Sequence, residues 1–547
     1  MNRVSKLLTE SAERGHARAM LYALKLNRQQ IFQPHIGIGS MWYESNPCNS
    51  HLLEKTQFVK KSLQKEYMNG FIFNTVGVSD GQTQDTKGSL LSLPSRELIK
   101  DSIELITNAH YYDGLICIPG CDKNVPASLM AMCEIDRPGF IISGGSISPG
   151  YFNGKTLDIT SSFEAYGQLC NNKISENYFE NINKNCCNVS GGGCGGMFTF
   201  NTMTSLVEIM GMSLPNSSTI PSILKKDECF KAGTTMTNLL KLNLKPSDII
   251  EKESFINAIK LLNILGGSTN AVIHLLAIAK SANIDLTLQD FIDHQDIPVL
   301  ANLKPHGEFL MNDLYSHNIH MSGIINYLIK ENIINGDCMT ITGKTLKENY
   351  CNKKNNINNN IIYPIKRPFK KTSHIRILKG NLAPDGCVSK IYSEKQIYIG
   401  KVIVFDTEKD MIDSLKNHLI KKHHFVIIRY QGESTGCPEM LRPTSALIGY
   451  FGNNKAPPLA TDGRFSGGSK GILVAHLPDA YKKNITTILQ NGDKIIINTK
   501  YNSININISK EEYNNRIKNI KIKIFNPKGY LKKYSKLVGN LDNGFST

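Results

Sequence analysis

A cysteine, an aspartate and a lysine occupy three consecutive positions, Cys121, Asp122 and Lys123, directly after an apolar run at residues 115–118. A thiolate is a ligand for soft metals and iron–sulfur clusters, whereas a carboxylate binds hard cations such as Mg²⁺. Soft and hard ligands side by side indicate two adjacent metal centres. Taken alone, the tripeptide is more typical of a capped helix with one buried cysteine.

Two further cysteines stand in contexts that favour a ligand role. Cys194 lies within Ser-Gly-Gly-Gly-Cys-Gly-Gly at residues 190–196, and Cys48 lies in Pro-Cys-Asn at residues 47–49. Glycines let the backbone approach an inorganic cluster and donate N–H groups to its sulfurs. A flexible loop is the plainer interpretation of residues 190–196, and a phosphate-binding loop is disfavoured because no Gly-Lys-Ser/Thr follows.

Three more side chains are candidates for a hard-metal centre or for proton transfer. Asp80 lies in Gly-Val-Ser-Asp-Gly at residues 77–81, where an ordinary turn is the commoner use of an aspartate. Glu439 follows Pro438, and Ser466 lies in Thr-Asp-Gly-Arg-Phe-Ser-Gly-Gly-Ser at residues 461–469. This last segment lacks the Gly-x-Ser-x-Gly pattern of a hydrolase nucleophile. Ser466 is therefore a candidate exposed hydroxyl, although a turn serine is the simpler interpretation.

Strands that end just before these residues are predicted to position them. Residues 115–118 and 140–143 are apolar enough for buried strands, and residues 126–133 between them favour a helix. Strand, loop, helix and strand form a βαβ unit, which implies a parallel sheet. Ligands bind at the carboxyl ends of such strands, so Cys121 is well placed for chemistry. The alternation of strands and helices is predicted to continue to about residue 350.

The remainder of the chain is predicted to be richer in β-structure. Strands are expected at residues 401–405, 425–429, 494–498 and 502–508, from apolar runs or from alternation of apolar and polar residues. The polar stretch Asn-Lys-Lys-Asn-Asn-Ile-Asn-Asn-Asn at residues 352–360 cannot pack, and we interpret it as a linker or an exposed loop.

Composition narrows the function classes. The chain has 547 residues, and 63 Lys and Arg against 47 Asp and Glu give a formal charge of +16. The basic residues are scattered and lack zinc-finger spacing or an RNA-binding signature, so a solvated surface is favoured over a nucleic-acid partner. No apolar run reaches the ~18 residues of a membrane span. Thirteen cysteines without a regular disulfide framework, and an N-terminus without an apolar core, favour the cytoplasm over secretion.

Taken together, the motifs resemble one family, the dihydroxy-acid dehydratases, within a wider group that includes sugar-acid and phosphogluconate dehydratases. The resemblance extends over essentially the whole chain and is closest to the branched-chain amino-acid enzyme. The matching motifs begin at residues 15–20 (Gly-His-Ala-Arg-Ala-Met), 42–49 (Trp-Tyr-Glu-Ser-Asn-Pro-Cys-Asn), 73–80 (Phe-Asn-Thr-Val-Gly-Val-Ser-Asp), 93–96 (Leu-Pro-Ser-Arg), 119–124 (Pro-Gly-Cys-Asp-Lys-Asn) and 193–199 (Gly-Cys-Gly-Gly-Met-Phe-Thr). They continue at residues 266–270 (Gly-Gly-Ser-Thr-Asn), 378–384 (Leu-Lys-Gly-Asn-Leu-Ala-Pro), 438–441 (Pro-Glu-Met-Leu) and 461–469.

The resemblance implies a role for each matching residue. The implied iron–sulfur ligands are Cys48, Cys121 and Cys194, with one iron left open. The implied Mg²⁺ ligands are Asp80, Asp122, Glu439 and Lys123, the last as a carbamate, and Ser466 is implied as the base. Three cysteines fit either a 2Fe-2S or a 4Fe-4S cluster, and the similarity of residues 42–49 to plant and fungal members favours 2Fe-2S.

The implied reaction is dehydration of 2,3-dihydroxy-3-methylbutanoate and 2,3-dihydroxy-3-methylpentanoate to the corresponding 2-oxo acids, a hydro-lyase step of valine and isoleucine biosynthesis. The cluster would act as a Lewis acid on the C3 hydroxyl, and a Ser466 alkoxide would remove the C2 proton. A sugar-acid or phosphogluconate dehydratase of the same family is the first alternative. A decayed homologue or a nucleic-acid-binding basic protein is the second.

The implied fold is α/β. A three-layer domain with a largely parallel sheet is expected over residues 1–365 and would carry the cluster and Mg²⁺ sites. A β-barrel-like domain is expected over residues 366–547 and would carry Ser466. The family also implies a homodimer. Departures from the family pattern at Ala127, Gln431 and Cys437 remove none of the implied ligands and leave the implied base in place.

Overall fold

Four parallel strands form the sheet at the centre of the N-terminal half. They are β1 (His35–Ser40), β2 (Asn69–Asn74), β3 (Gly114–Ile118) and β4 (Gly139–Ile141), in the order β2-β1-β3-β4. β1 and β3 are buried along their whole lengths, as expected for the central strands of a covered sheet. The strands predicted near residues 115–118 and 140–143 and the helix between them, Asn124–Ile135, are confirmed.

The structure, a computed structural model, describes residues 1–170, 172–351, 357, 360–392, 395–452 and 455–547. The predicted linker at residues 352–360 lies, apart from Ile357 and Asn360, outside these described residues. No helix among the described residues is long and apolar enough to cross a bilayer.

Helices cover the sheet and make up the chain from residue 159 to residue 350. In this half, the helices of eight or more residues are Gly15–Ala23, Leu52–Lys65, Ser92–Ala109, Asn124–Ile135, Ile159–Leu169, Glu176–Asn185, Thr199–Ile209, Ala232–Leu242, Lys252–Ile264, Asn270–Ser281 and Met321–Lys330. The described residues from 159 to 350 contain no strand, so the predicted alternation to residue 350 is wrong there. Apolar runs such as that of Asn270–Ser281 belong to helices buried on almost every side, and apolar periodicity alone does not separate those from buried strands.

A closed barrel dominates the C-terminal half. After a hairpin of β5 (Gly150–Phe152) and β6 (Lys155–Leu157), the strands are β7 (Ile375–Gly380), β8 (Ala383–Lys390), β9 (Ile397–Phe405), β10 (His424–Ile428), β11 (Glu439–Met440), β12 (Leu459–Thr461), β13 (Arg464–Phe465), β14 (Leu473–Ala475), β15 (Lys494–Asn498) and β16 (Ser503–Ile506). The barrel order is β10-β12-β14-β8-β7-β16-β15-β9. The longer helices of this half are Glu408–Lys416, Arg442–Phe451, Lys510–Asn519 and Gly529–Leu537.

The α/β class, the parallel sheet and the barrel are thus confirmed, as are the four strands predicted in the C-terminal half. The barrel is mixed. Its consecutive strands β9, β10, β12 and β14 pair in parallel, and most of the other neighbouring strands pair antiparallel. The division of the chain at residue 365 remains a prediction.

The last residues of the chain return to the N-terminal half, where they hydrogen bond to both members of a buried ion pair. Arg96, on helix Ser92–Ala109, is fully buried and lies 2.7 Å from the Glu97 carboxylate. Its Nη2 donates to the Gly544 carbonyl at 2.8 Å, and the Thr547 amide donates to Glu97 at 3.2 Å. This helix therefore links the chain terminus to the interior of the protein.

Loss of the Arg96 charge is expected to destabilise the whole fold. Arg96→Met leaves Glu97 buried without its partner, which costs about 3–5 kcal/mol. Chemical denaturation followed by circular dichroism measures this loss. The control is Lys409→Met, because the Lys409 and Asp413 side chains are 82% and 49% exposed and such a pair contributes about 1 kcal/mol or less. Equal losses in the two variants would contradict the expectation.

Candidate active site

The carboxyl ends of three neighbouring strands deliver most of the candidate residues to one edge of the sheet. Cys48 lies in the short helix Pro47–Ser50 after β1, and Asp80 begins the short helix Asp80–Thr83 after β2. The segment from Cys121 to Lys123 follows β3. Asp80 thus occupies the first helical position, capped by Ser79, rather than the turn that its local sequence predicts. Parallel strands gather such residues because their carboxyl ends face the same way.

One asparagine connects the loops that carry Cys48 and Cys121. The Asn124 Oδ1 atom accepts from the Cys121 amide at 3.0 Å and from Asn49 Nδ2 at 3.1 Å. Gly120 lets the two loops touch, since a Cβ at this position would overlap the carbonyl oxygen of Cys48. The spacing between the two cysteines is therefore fixed by backbone packing and a buried amide.

The glycine-rich segment at residues 190–196 is held in place by the chain that follows β4. The Gly193 amide donates to the Gly145 carbonyl at 2.9 Å, and the Ile147 amide donates to the Gly193 carbonyl at 2.7 Å. Asn201 Nδ2 donates to the Cys194 carbonyl at 2.5 Å. Gly192 has a φ of 132°, which favours glycine. The flexible-loop interpretation is wrong for this segment, because ordered hydrogen bonds deliver Cys194 to the site.

The three candidate thiols lie near one another, with Cys48 interacting with both of the others. The Cys48 thiol shares hydrogen bonds with Cys121 and Cys194, and these bonds together with burial raise the pKa of Cys48 well above its usual value. The hydrogen bond with Cys48 lowers the pKa of Cys121, but burial and the charges of Asp122 and Asp80 outweigh it and the net pKa is raised. Three thiols so close would become thiolates together only if a cation neutralised them.

The three candidate carboxylates surround the ammonium group of Lys123. Lys123 Nζ lies 2.5 Å from Asp80 Oδ2, 2.7 Å from Asp122 Oδ2 and 2.8 Å from Glu439 Oε2. One oxygen from each carboxylate lies within 4.8 Å of the others. Arg464 Nη1 adds a second cation at 2.6 Å from Glu439 Oε2. Two positive charges therefore neutralise part of a buried cluster of three negative ones.

The pKa values in this cluster move in opposite directions. Burial would raise the pKa of Asp80, but the charges of Lys123 and Arg464 hold it well below its usual value. Burial and the neighbouring Asp80 charge raise the pKa of Asp122 to about 7. Burial and the Arg464 charge oppose protonation of Lys123, yet its three carboxylate neighbours keep its pKa above the usual value. The ammonium form of Lys123 thus depends on the carboxylates around it.

Ser466 reaches the site from a small sheet beside the barrel. β11 and β13 pair in parallel, with Glu439 opposite Arg464, and the Ser466 amide donates to the Met440 carbonyl at 2.9 Å. Lys390 stabilises the turn after Ser466, because its Nζ donates to the Gly467 carbonyl at 3.1 Å and to the Ser469 carbonyl at 2.8 Å. Among the described residues, no side chain hydrogen bonds to the Ser466 hydroxyl.

The three cysteines, the three carboxylates and Ser466 line one cavity of about 310 Å³ between the two halves of the chain. Its apolar walls are Ile147, Leu157, Ile159, Phe163, Phe198, Phe200, Leu310 and Leu441. Gln82, Gln84, Thr160 and Thr199 are among its polar lining residues, and none of the described lysines or arginines lines it. The cavity has the size and the mixed lining of a small-molecule site.

The structure adds functional residues that the sequence prediction missed. Arg464 was visible only as part of the motif at residues 461–469, and its contacts with Glu439 and Asp80 depend on the strand pairing. Cys186 and Cys187 also line the cavity, although they belong to no proposed ligand set. The apolar wall comes from four separate parts of the chain, so no local pattern identifies it.

The donor sets fit the two groups that the sequence predicts. Three converging thiols suit iron, and three carboxylate oxygens suit a hard divalent cation. The buried Asp80 Oδ1 atom has no hydrogen-bond partner among the described residues and only a 3.5 Å ion-pair contact with Arg464 Nη2, so it can accept a metal ion. The structure thus contains a possible acidic metal site beside a cluster of cysteines.

Comparison with known proteins assigns this chain to a family. The dihydroxy-acid/6-phosphogluconate dehydratase N-terminal domain matches residues 33–349, and the corresponding C-terminal domain matches residues 360–545. The dihydroxy-acid dehydratase of Francisella tularensis subsp. novicida is 45% identical over all of this chain and 99% of its own length. The chloroplastic dihydroxy-acid dehydratase of Arabidopsis thaliana is 44% identical over all of this chain and 91% of its own length. The mitochondrial enzyme ilvC of Aspergillus fumigatus is 44% identical over 95% of this chain and 87% of its own length.

The chain therefore belongs to the dihydroxy-acid/6-phosphogluconate dehydratase family. It is an enzyme, a hydro-lyase that acts on a small molecule.

The affinity for Mg²⁺ is expected to rise with pH between about 6 and 8. Because the pKa of Asp122 is raised to about 7, this carboxyl carries a proton at lower pH and must lose it before it binds a cation. Each pH unit below the pKa then weakens binding by up to about tenfold. Titration with Mn²⁺ as a paramagnetic substitute checks this, with Asp122→Asn as the pH-insensitive control. A constant affinity in the unmodified protein would refute the prediction.

Proposed function

We propose that this enzyme dehydrates 2,3-dihydroxy-3-methylbutanoate and 2,3-dihydroxy-3-methylpentanoate to their 2-oxo acids, in valine and isoleucine biosynthesis. The observation that carries the proposal is the convergence of three thiols, three carboxylates and Ser466 on one cavity with an apolar wall. A homodimer and a cytoplasmic location belong to the same proposal.

The reaction requires a base and a means of removing a poor leaving group. The C2–H bond breaks, its electron pair forms the C2–C3 double bond, and the C3–O bond breaks with release of hydroxide. The resulting enol then takes up a proton at C3 and becomes the 2-oxo acid. A bound iron–sulfur cluster and Mg²⁺ would supply Lewis-acid chemistry for the leaving hydroxyl and for the carboxylate and C2 hydroxyl.

The residues of this chain hold and orient those groups. We propose that Cys48, Cys121 and Cys194 bind the cluster and that Asp80, Asp122 and Glu439 bind Mg²⁺. A 2Fe-2S cluster is our proposal for the cluster type. The packing of the cysteine-bearing loops through Asn124 and Gly120 supports a fixed ligand geometry.

Lys123 is proposed to join the Mg²⁺ ligands as a carbamate. Its amine would attack CO₂, form an N–C bond and release a proton, which replaces a cation with an anionic oxygen ligand. The carboxylates around Lys123 raise its pKa in the metal-free site. A divalent cation bound to the same carboxylates would offset their charge and favour the neutral amine that this reaction needs.

Ser466 is proposed to remove the C2 proton. Its hydroxyl is a weak base unless a positive electrostatic potential favours the alkoxide. Lys390 holds the turn that follows Ser466 through two backbone carbonyls, so it helps to position the serine and brings a buried amine to the same loop.

The cavity lining favours a short branched acid over a phosphorylated sugar acid. A phosphate group in a buried site requires basic partners, and none of the described lysines or arginines lines this cavity. The eight apolar wall residues instead suit the methyl and ethyl groups of the proposed substrates.

Replacement of one proposed cluster ligand is expected to remove the iron. Anaerobically purified Cys121→Ser should lose most of its iron and sulfide, because serine is a poor ligand for this soft centre. The matched control is Cys133→Ser, which changes a cysteine of helix Asn124–Ile135. Iron and sulfide analysis with visible absorption measures the outcome. Full iron content in Cys121→Ser would exclude it as a ligand.

Replacement of the proposed base is expected to remove turnover while leaving the metal centres in place. Ser466→Ala should lower kcat by about 10²–10⁴, the usual contribution of a general base. Ser148→Ala is the control, because Ser148 is another hydroxyl that lines the cavity. Assays of 2-oxo-acid formation, with iron content measured in parallel, test this. Similar kcat values in both serine variants would show that Ser466 is not the base.

Substrate preference tests the proposal against its alternatives. With 2,3-dihydroxy-3-methylbutanoate, kcat/KM should exceed that with 6-phosphogluconate or a sugar acid at least a hundredfold, which corresponds to about 2.7 kcal/mol. The apolar wall would bury the methyl groups of the first substrate, whereas the hydroxyl groups of a sugar acid would face this wall without hydrogen-bond partners. The reverse order would reassign the enzyme to a sugar-acid or phosphogluconate dehydratase. A protein that binds its cluster yet turns over none of these acids would contradict all dehydratase assignments.

A further inference from the structure

A second, larger cavity of about 800 Å³ lies beside the barrel and is lined by five lysines. They are Lys370, Lys395, Lys422, Lys455 and Lys470. No acidic side chain of the described residues lines this cavity, although Lys470 pairs with Glu164 at 2.7 Å. Lysine ammonium groups act as mobile point charges that bind anionic oxygens. A concave surface with so many of them carries a positive potential that attracts anions.

Two residues that line this cavity each carry a buried polar atom without a hydrogen-bond partner among the described residues. His306 lines it, and the His306 Nε2 atom is buried with no hydrogen-bond partner among the described residues. The Tyr392 hydroxyl, from a second lining residue, is buried and unpartnered in the same way. Such atoms carry a free-energy cost unless a ligand or water binds them. Lys370 Nζ lies 3.8 Å above the Tyr392 ring, so a basic group and these two polar groups share one wall.

Two groups at this cavity have lowered pKa values, mainly because they are buried. Burial lowers the pKa of Lys370 to about 8. Burial and the charges of Lys390, Lys370 and Lys470 lower the pKa of His306 well below its usual value. These positive charges repel one another, and an anion among them would relieve the repulsion.

The lysine-lined cavity adjoins the loop that carries the proposed base. Ser466 and Gly468 face the active cavity, whereas Lys470 and Gly471 of the same loop line the basic cavity. A second segment also connects the two cavities. Lys304 pairs at 2.6 Å with Asp158, which lines the active cavity, and the next residue, Pro305, lines the lysine-lined cavity. The two cavities are therefore separate but share walls.

We propose that the lysine-lined cavity binds a small organic polyphosphate through its lysine ammonium groups. The ligand class follows from the number of ammonium groups, which exceeds what one monoanion can contact, and from a concave shape that suits a small molecule. A nucleic acid would require an open basic surface instead. This proposal is independent of the substrate assigned above.

The test is calorimetric titration of the metal-loaded protein with fructose 1,6-bisphosphate, at constant ionic strength. We expect a dissociation constant below about 1 mM and little heat with fructose, which has the same carbon skeleton without phosphate. Lys422→Gln/Lys455→Gln, which changes two exposed lysines of the cavity, should weaken binding at least tenfold. The control, Lys510→Gln/Lys536→Gln, removes the same charge from two helices outside the cavity and should bind normally.

A second variant separates ligand binding from stability. Lys370→Gln should also weaken binding at least fivefold, and thermal unfolding of all variants shows whether they fold as the unmodified protein does. Equal affinity in the cavity and control variants would overturn the proposal. So would binding of a polynucleotide, with steep salt dependence, in a protein that does not bind the bisphosphate.

Discussion

The buried ion cluster around Lys123 is the interaction on which the rest of the structure depends. Asp80 and Asp122 come from the parallel sheet, whereas Glu439 and Arg464 come from the small sheet beside the barrel. A shift of one half against the other would break the contacts of Lys123 with Glu439 and of Arg464 with Asp80 while these charges stay buried, and a buried charge that loses its partner costs about 3–5 kcal/mol. The cluster therefore fixes the position of the barrel over the sheet, and so the position of Ser466 relative to the three cysteines.

The same cluster explains why the site suits a divalent cation. Three carboxylates against Lys123 and Arg464 leave a net negative charge in a region of low polarity. Burial and the neighbouring Asp80 charge raise the pKa of Asp122 to about 7, so a proton can occupy part of this site when no metal ion is bound. A metal ion would replace that proton and satisfy the unpartnered Asp80 oxygen. Stability and metal binding thus depend on the same carboxylates.

The sequence predicted those parts of the protein that depend on local chemistry. The Cys-Asp-Lys triplet, the strand before it and the helix after it form one continuous segment, so apolar patterning and ligand types were sufficient. Helices such as Asn270–Ser281 were missed because a helix buried on all sides loses the amphipathic pattern that identifies it. Arg464 was missed as a site residue because its role depends on the register between β11 and β13. The apolar wall of the cavity and the lysine-lined cavity likewise combine distant segments, which sequence patterns cannot join.

The position of the Ser466 loop shows how a serine could act as a base in this site. Lys123 and Arg464 are already compensated by three carboxylates, so their positive charge does little to favour an alkoxide. Lys390 is different, since among the described residues its Nζ atom donates only to backbone carbonyls of the serine loop. Burial lowers its pKa to about 7, so its charge is sensitive to nearby anions. Formation of the serine alkoxide would favour protonated Lys390, and protonated Lys390 would favour the alkoxide. The C-terminal half would thus contribute both the proposed base, Ser466, and a charge that favours its alkoxide.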